Sequence, residues 1–296
     1  RLVLLLRDIL DSAESTRRVW KKNGYFEAIE AYYDEVLVVG SPDIFDLKRE
    51  YAFPPFAAAK VNYCGYIARE PARQSRAAVR QQLGVGAHQP LVLVTPGGGE
   101  DGYRLIANCL EGLRVLPLAK RPRVHIVCGP EMGDAPRAAI VQASAALPNV
   151  SLQDYCSDMM SMIGAADVAL TMGGYNTVCE LLSSGKRAVV VPRTEPGHEQ
   201  LLRAERMAAH GLLRMLHPDD ATPAALMQAL CEQLGAQARG DALPRLKSMH
   251  GLDRVAQALR ELMGLAPVAA EPAAVVRHGA SAPSRGATQM HAVAAL

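Results

Sequence analysis

The stretch Asp167-Val168-Ala169-Leu170-Thr171-Met172-Gly173-Gly174-Tyr175-Asn176-Thr177-Val178-Cys179-Glu180 runs a short apolar segment into paired glycines and then into an amphipathic one. Glycine permits close backbone approach and unusual dihedral angles. A helix starting directly behind it would present unpaired N–H groups and the positive end of its dipole. Together these make a cradle for a pyrophosphate. Glu180 stands six residues past Gly174, about 9 Å further along a helix rising about 1.5 Å per residue. A carboxylate there could accept hydrogen bonds from ribose hydroxyls, the task of an acidic residue in other nucleotide folds. The plain alternative is an ordinary tight turn with Glu180 in solvent, and these residues alone leave both open. Gly185-Lys186 is not the end of a P-loop, because Glu180 occupies the position that must be glycine.

Two more segments have similar character. After the apolar run Ala188–Val191 come Pro192, a loop containing His198, and Glu199-Gln200 at the start of a new helical pattern. Loops at the carboxyl ends of parallel strands are where such sheets bind ligands. Glu199 as acceptor and Gln200 as donor and acceptor could bond sugar hydroxyls, although capping of the helix by Glu199 is the simpler role. His198 could stabilise a departing diphosphate or merely fill the loop. Gly97-Gly98-Gly99 follows the apolar run Leu91–Thr95 and makes a second glycine turn. Its spacing is not GxGxxG, which argues against a nicotinamide dinucleotide site. Gly129-Pro130-Glu131 could close the wall behind it, although a plain turn is the simpler reading, and Asp154-Tyr155 could contact a base or simply end a strand. His125 and Cys128 read as packed core residues, Met159, Met160 and Met162 as helix packing. No GxSxG elbow is present.

These turns need strands and helices to hold them. Leu2–Leu6, Glu35–Val39, Leu91–Thr95, Val124–Cys128, Val150–Gln153, Val168–Thr171 and Ala188–Val191 are continuous apolar runs, as in parallel strands covered on both faces. Helical patterns alternate with them over Ala77–Leu83, Tyr103–Leu113, Pro136–Ala146, Ser157–Ala165, Tyr175–Ser184, Glu199–His210, Pro223–Leu234 and Leu252–Met263. Such repetition predicts an α/β chain with a doubly wound parallel sheet. A polar stretch at 68–75 separates part of one α/β domain, residues 1–67, from a complete one at 76–265. Residues 266–296 are rich in Ala, Pro, Ser, Gly and Val without period and are expected to be a disordered tail. The opening at Arg1, directly into Leu2–Leu6, predicts that an N-terminal part of a longer protein lies upstream.

Bulk properties narrow the function classes. With 32 Lys+Arg against 30 Asp+Glu the net charge is +2, without the basic excess of a nucleic-acid binder. The six cysteines are scattered, with no CxxC pair and no His at ligand spacing, so neither a disulfide framework nor a metal site is expected. Reduced thiols suggest the cytoplasm, and no apolar run approaches the about 20 residues that span a bilayer.

The order strand, Gly173-Gly174, helix with Glu180, strand, Pro192, loop, Glu199-Gln200 and helix resembles the donor-site signature of GT-B glycosyltransferases. It is most similar to the family of the UDP-N-acetylglucosamine transferase that makes lipid II, and nearer still to a group of uncharacterised bacterial glycosyltransferases. Thr171–Gly211 carries the likeness most specifically, and it extends loosely over 1–265. The resemblance implies a truncated N-terminal domain on the acceptor side, then a donor-binding domain that takes a UDP-sugar without a catalytic metal or other cofactor. It implies that Gly173, Gly174, Tyr175, Asn176 and Thr177 form the diphosphate turn. Glu180 matches the ribose acid, Glu199 and Gln200 the sugar contacts with His198 beside them, and Gly97, Gly98 and Gly99 the first glycine turn. Acceptor and general base come largely from the N-terminal domain in that family, and Asp8, at a strand end there, is the candidate. The membrane-docking face of the lipid-II enzyme lies mostly outside this chain, so peripheral membrane contact has no support in these residues. The implied reaction is inverting transfer of a sugar to a hydroxyl acceptor. The alternatives are a donor-binding module inactive without a partner chain or an N-terminal extension, and a sugar-nucleotide epimerase or hydrolase.

Overall fold

The computed structural model describes residues 1–240, 246 and 249–266. The expected tail, beyond Ala266, lies outside the described residues.

The first part of the chain forms a three-stranded parallel sheet of β1 (Val3–Arg7), β2 (Glu35–Val39) and β3 (Val61–Tyr63), in that spatial order. Two helices, α1 (Ala13–Lys22) and α2 (Tyr25–Tyr32), and two single turns, α3 (Leu47–Glu50) and α4 (Pro55–Ala58), connect the strands. Ser12 caps α1 by accepting from Ser15 N–H. Trp20, Phe26 and Phe53 form an aromatic cluster beneath these helices, with ring centroids 5.0–5.4 Å apart. The sequence reading missed all four helices and β3. In α1 only Thr16 and Trp20 are buried, too few to leave a periodic apolar stripe. The reading of Leu2–Leu6 as a fully buried strand is also corrected. Among the described residues β1 has one neighbour, β2, and Leu5 is 55% exposed.

The second part carries six parallel strands: β4 (Leu91–Thr95), β5 (Arg123–Val127), β6 (Val150–Gln153), β7 (Val168–Thr171), β8 (Arg187–Val190) and β9 (Arg214–Met215). They lie in the order β6-β5-β4-β7-β8-β9. Around them run α5 (Arg76–Gln82), α6 (Tyr103–Val115), α7 (Asp134–Ser144), α8 (Met159–Ala165), α9 (Tyr175–Ser184), α10 (Glu199–Ala209) and α11 (Pro223–Arg239), and α12 (Gly251–Leu262) follows. Alternate residues of β4 enter different cores: Val92 and Val94 pack with Ile106 and Leu110, whereas Leu91 and Leu93 pack with Ile163 and Val190. Burial on both faces is why these strands read as unbroken apolar runs. The chain winds outward from β4 to β6 and returns at β7. The loops after β4 and β7 therefore diverge, and a crevice opens at the carboxyl ends of the strands.

The opposite, amino-terminal edge of this sheet is tied by charges. Arg76 and Arg80 both pair with Asp167 (2.6 and 3.4 Å), and Lys186 Nζ caps α8 through the carbonyls of Ala166 and Gly164. Burial, helped by Arg76, pushes the Lys186 ammonium down from 10.5 to about 8. The folded state thus sheds this proton before the unfolded chain does, and stability should rise as pH climbs from about 8 to 10.5. Chemical denaturation across that window is expected to show a shallower rise for Lys186→Met than for the parent; equal slopes would contradict the assignment.

Candidate functional site

At the mouth of the crevice β7 passes into α9 through Gly173 and Gly174. Gly173 has φ +77, and a Cβ there would stand 2.7 Å from Val190 Cγ1. Gly174 is the N-cap of α9 and offers no side-chain acceptor to the first helical turn. A Cβ on Gly174 would meet nothing within 4 Å. The start of α9 therefore faces open space with its N–H groups uncapped, which is the arrangement that receives an anion.

Glu180 and Thr177 on α9 line a cavity of about 180 Å³ whose other walls include Thr95, Gly97, Gly129, Tyr155 and Cys156. Among the described residues no side chain or N–H group donates a hydrogen bond to the Glu180 carboxylate. Burial raises its pKa above the usual range, and the nearby Arg69 guanidinium opposes the shift. Arg69, in the connection between the two sheets, donates to Asn176 Oδ1 (2.7 Å), and its own N–H donates to Ser183 Oγ (2.9 Å). Sequence reasoning missed it because it sits in a polar stretch with no motif around it.

The glycine turns after β4 and β5 interlock. Glu131 N–H donates to Gly98 O (2.8 Å). Gly99 and Gly129 have φ +104 and +95, and a Cβ on Gly129 would sit 2.6 Å from Gly97 O and 2.5 Å from Gly98 C. Gly129-Pro130-Glu131 thus does close the wall behind Gly97–Gly99. Gly98, Gly99 and Glu131 border a smaller cavity of about 100 Å³, together with Arg193 and Gln200. A larger one of about 370 Å³ adjoins it through Asp101, Met172 and Arg193, and reaches Arg104, Asn108 and Glu195.

Glu199 and Gln200 open α10 as expected, but protein contacts already hold both. Gln200 is 9% exposed; its Oε1 accepts from Arg193 N–H (3.3 Å), and with the amide turned over it would donate to Met172 O (2.9 Å) and accept from Arg193 Nε (3.2 Å). Glu199 lies between Arg193 (3.9 Å) and Arg203 (3.7 Å). Arg193 is also paired with Asp101 (3.0 Å), so it joins the loops after β4 and β8.

Three candidate side chains make contacts between the two halves of the chain. Asp8 is not an accessible base: it is 1% exposed, held by Arg203 through two bonds of 2.9 Å, and accepts from Tyr66 OH (2.9 Å). The Tyr175 side chain turns away from the open face of its own turn. It stacks on Tyr66 at 6.0 Å and donates to Val39 O (2.7 Å), so it packs the two halves together. His198 is aimed at the N-terminal half, its N–H 2.8 Å and its ring Nδ1 3.8 Å from Asp11 Oδ1. Of the remaining candidates, Asp154 is paired with Arg137, and Tyr155 stands 64% exposed at the Glu180 cavity. His125 is a core residue, bonded to Ser151 Oγ and Gln153 Oε1, and burial lowers its pKa. Among the described residues no group of three or more His, Cys, Asp or Glu is placed to hold a metal ion. No helix there is long and apolar enough to cross a membrane.

Comparison with known proteins gives this geometry its family. Over 232 residues the chain is 27% identical to an uncharacterized glycosyltransferase of Methanopyrus kandleri, covering 77% of this chain and 60% of that protein. It is 30% identical over 187 residues to the UDP-N-acetylglucosamine–N-acetylmuramyl-(pentapeptide) pyrophosphoryl-undecaprenol N-acetylglucosamine transferase of Nitrosococcus oceani, covering 62% of this chain and 49% of that protein. The chain thus spans between half and three fifths of the length of these relatives. A solved calicheamicin glycosyltransferase shares the fold with a TM-score of 0.56 at 17% identity, over 88% of this chain and 66% of that one. The architecture is that of GT-B glycosyltransferases. The sequence profile of the glycosyltransferase family 28 C-terminal domain matches residues 91–246, more than half of the chain, and the protein belongs to that family.

Proposed function

We propose that the crevice at the carboxyl ends of β4, β5 and β7 binds a nucleoside-diphosphate sugar, and that the sugar passes to a hydroxyl acceptor with inversion and without a catalytic metal. One observation carries this reading: a partly buried carboxylate, Glu180, stands unbonded in a cavity beside the uncapped start of α9. Its oxygens face a cavity rather than protein donors, and ribose hydroxyls are donors that such an acceptor can take. The diphosphate then lies across Gly173–Thr177, where helix N–H groups meet the negative charge that grows on the leaving group. The sugar lies toward Glu199, Gln200 and the larger cavity beyond Arg193. UDP is the donor nucleotide suggested by the relative from Nitrosococcus oceani, whose name specifies UDP-N-acetylglucosamine.

Calorimetry with UDP tests the reading. Glu180→Gln is expected to weaken UDP by about 10- to 100-fold, the range of hydrogen bonds to a charged acceptor. In the parent, affinity should fall as pH drops, because a protonated carboxyl no longer accepts both hydroxyls. Its raised pKa brings that loss in at a higher pH than for an ordinary glutamate. The Gln variant should lack the effect. Unchanged UDP affinity in Glu180→Gln, or no UDP binding by the parent, would remove the proposal.

The burial of Asp8 favours a second reading, in which this chain supplies the donor site while base and acceptor contacts come from elsewhere. UDP binding without turnover of UDP-sugars, rescued by a longer chain, would select it. Product formed with no acceptor present would point instead to a hydrolase or epimerase.

A further inference from the structure

Arg203 is a buried guanidinium on α10 whose donors are shared between the two halves of the molecule. Nε and Nη2 bind the Asp8 carboxylate at 2.9 Å each, across 195 residues of sequence. Nη1 donates to Gly173 O at 3.3 Å, and Nη2 lies 3.7 Å from Glu199 Oε2. The guanidinium also sits 5.7 Å from the centre of the Tyr175 ring. One side chain therefore reaches the turn at Gly173, Tyr175 at the start of α9 and the Glu199 carboxylate.

We propose that Arg203 is a positioning residue for the donor diphosphate, and that Asp8 sets donor affinity through it. The inference rests on the donor reading above. In a trans peptide the C=O and the following N–H point in opposite directions. Fixing Gly173 O against Arg203 therefore aims the Gly174 N–H the other way, where no acceptor among the described residues meets it, and a Cβ on Gly174 would likewise find no atom within 4 Å. The N–H is held ready for a phosphate oxygen before the ligand arrives, which is how a site is preorganised. Asp8 fixes Arg203 in turn, and Gly40 lets it: a Cβ there would meet Asp8 Cβ at 2.7 Å. The N-terminal sheet thus contributes to donor binding without touching the donor.

The test compares UDP with uridine on the full chain. Removing both charges together, as Asp8→Asn with Arg203→Met, leaves no uncompensated ion, keeps an acceptor for Tyr66 OH and allows folding. Uridine affinity should stay within about twofold of the parent, as expected for a distant, independent group. UDP affinity should fall about tenfold, the factor of one charge-assisted hydrogen bond. Arg203→Lys keeps the charge opposite Asp8 but lacks the planar fork that also reaches Gly173. It should show the same selective loss of UDP and serves if the double variant fails to fold. UDP affinity equal to the parent's in a folded variant, or equal losses for UDP and uridine, would overturn the proposal. Failure of the parent to bind UDP defeats the donor reading itself and this inference with it.

Discussion

Arg203→Met alone is expected to destabilise the folded chain by about 3–5 kcal/mol, because it strands the Asp8 carboxylate in the interior. Asp8 is 1% exposed and, among the described residues, keeps only Tyr66 OH and the Ile9 N–H as donors once the guanidinium is gone. Total stabilities of about 5–15 kcal/mol make this a large share. The midpoint of thermal unfolding should drop by about 10 °C, and the urea midpoint should move with it. Adding Asp8→Asn should recover most of the loss, since the penalty belongs to the unpaired charge rather than to a lost attraction. A single variant within about 1 kcal/mol of the parent would mean that water reaches Asp8, in the range of an exposed pair.

Gly129→Ala is the second large effect. The new methyl group would fall 2.6 Å from Gly97 O and 2.5 Å from Gly98 C, at a φ of +95 that an L-residue avoids. Neither obstacle is a flexible side chain, so backbone must move, and a cost of about 3 kcal/mol or more is expected. Both glycine turns shift together because Glu131 N–H is bonded to Gly98 O, and UDP binding should fall with stability. Gly174→Ala provides the contrast. Its φ of −57 and ψ of 151 suit alanine, and the Cβ would enter open space. Stability should change by less than about 0.5 kcal/mol, while UDP binding weakens because the methyl group stands where the phosphate would approach. A Gly174→Ala protein that bound UDP like the parent would move the diphosphate away from this turn.

The second half was legible because its physics is local. Strands covered on both faces must be unbroken apolar runs, and a strand leading through Gly173-Gly174 into a helix makes an anion cradle from backbone alone. The first half hid better. Its helices rest on a few large rings, Trp20, Phe26 and Phe53, rather than on periodic stripes, and β1 is half bare. Less was legible where side-chain direction decides. Asp8 at a strand end looked like an exposed acid, yet Arg203 meets it from a helix far along the chain. Glu199 and Arg203 do stand four apart on one helix face, but spacing alone describes a surface pair, and only packing makes it an interior one. Tyr175 lies in the Gly173-Gly174 turn with its side chain packed on Tyr66, which the backbone register there determines. Arg69 had no signal at all.

Gly251 N–H donates to Tyr66 O at 2.9 Å, and a Cβ on Gly251 would stand 2.5 Å from Gly65 O. The polypeptide leaves the first sheet at Tyr66 and lies against it again at Gly251, where α12 begins. A methyl group at 251 would press on the Gly65 carbonyl, so the bare glycine is what lets two distant passages of the chain touch. The last helix is in this way latched onto the half from which the chain set out, and a side chain at that one position would unfasten it.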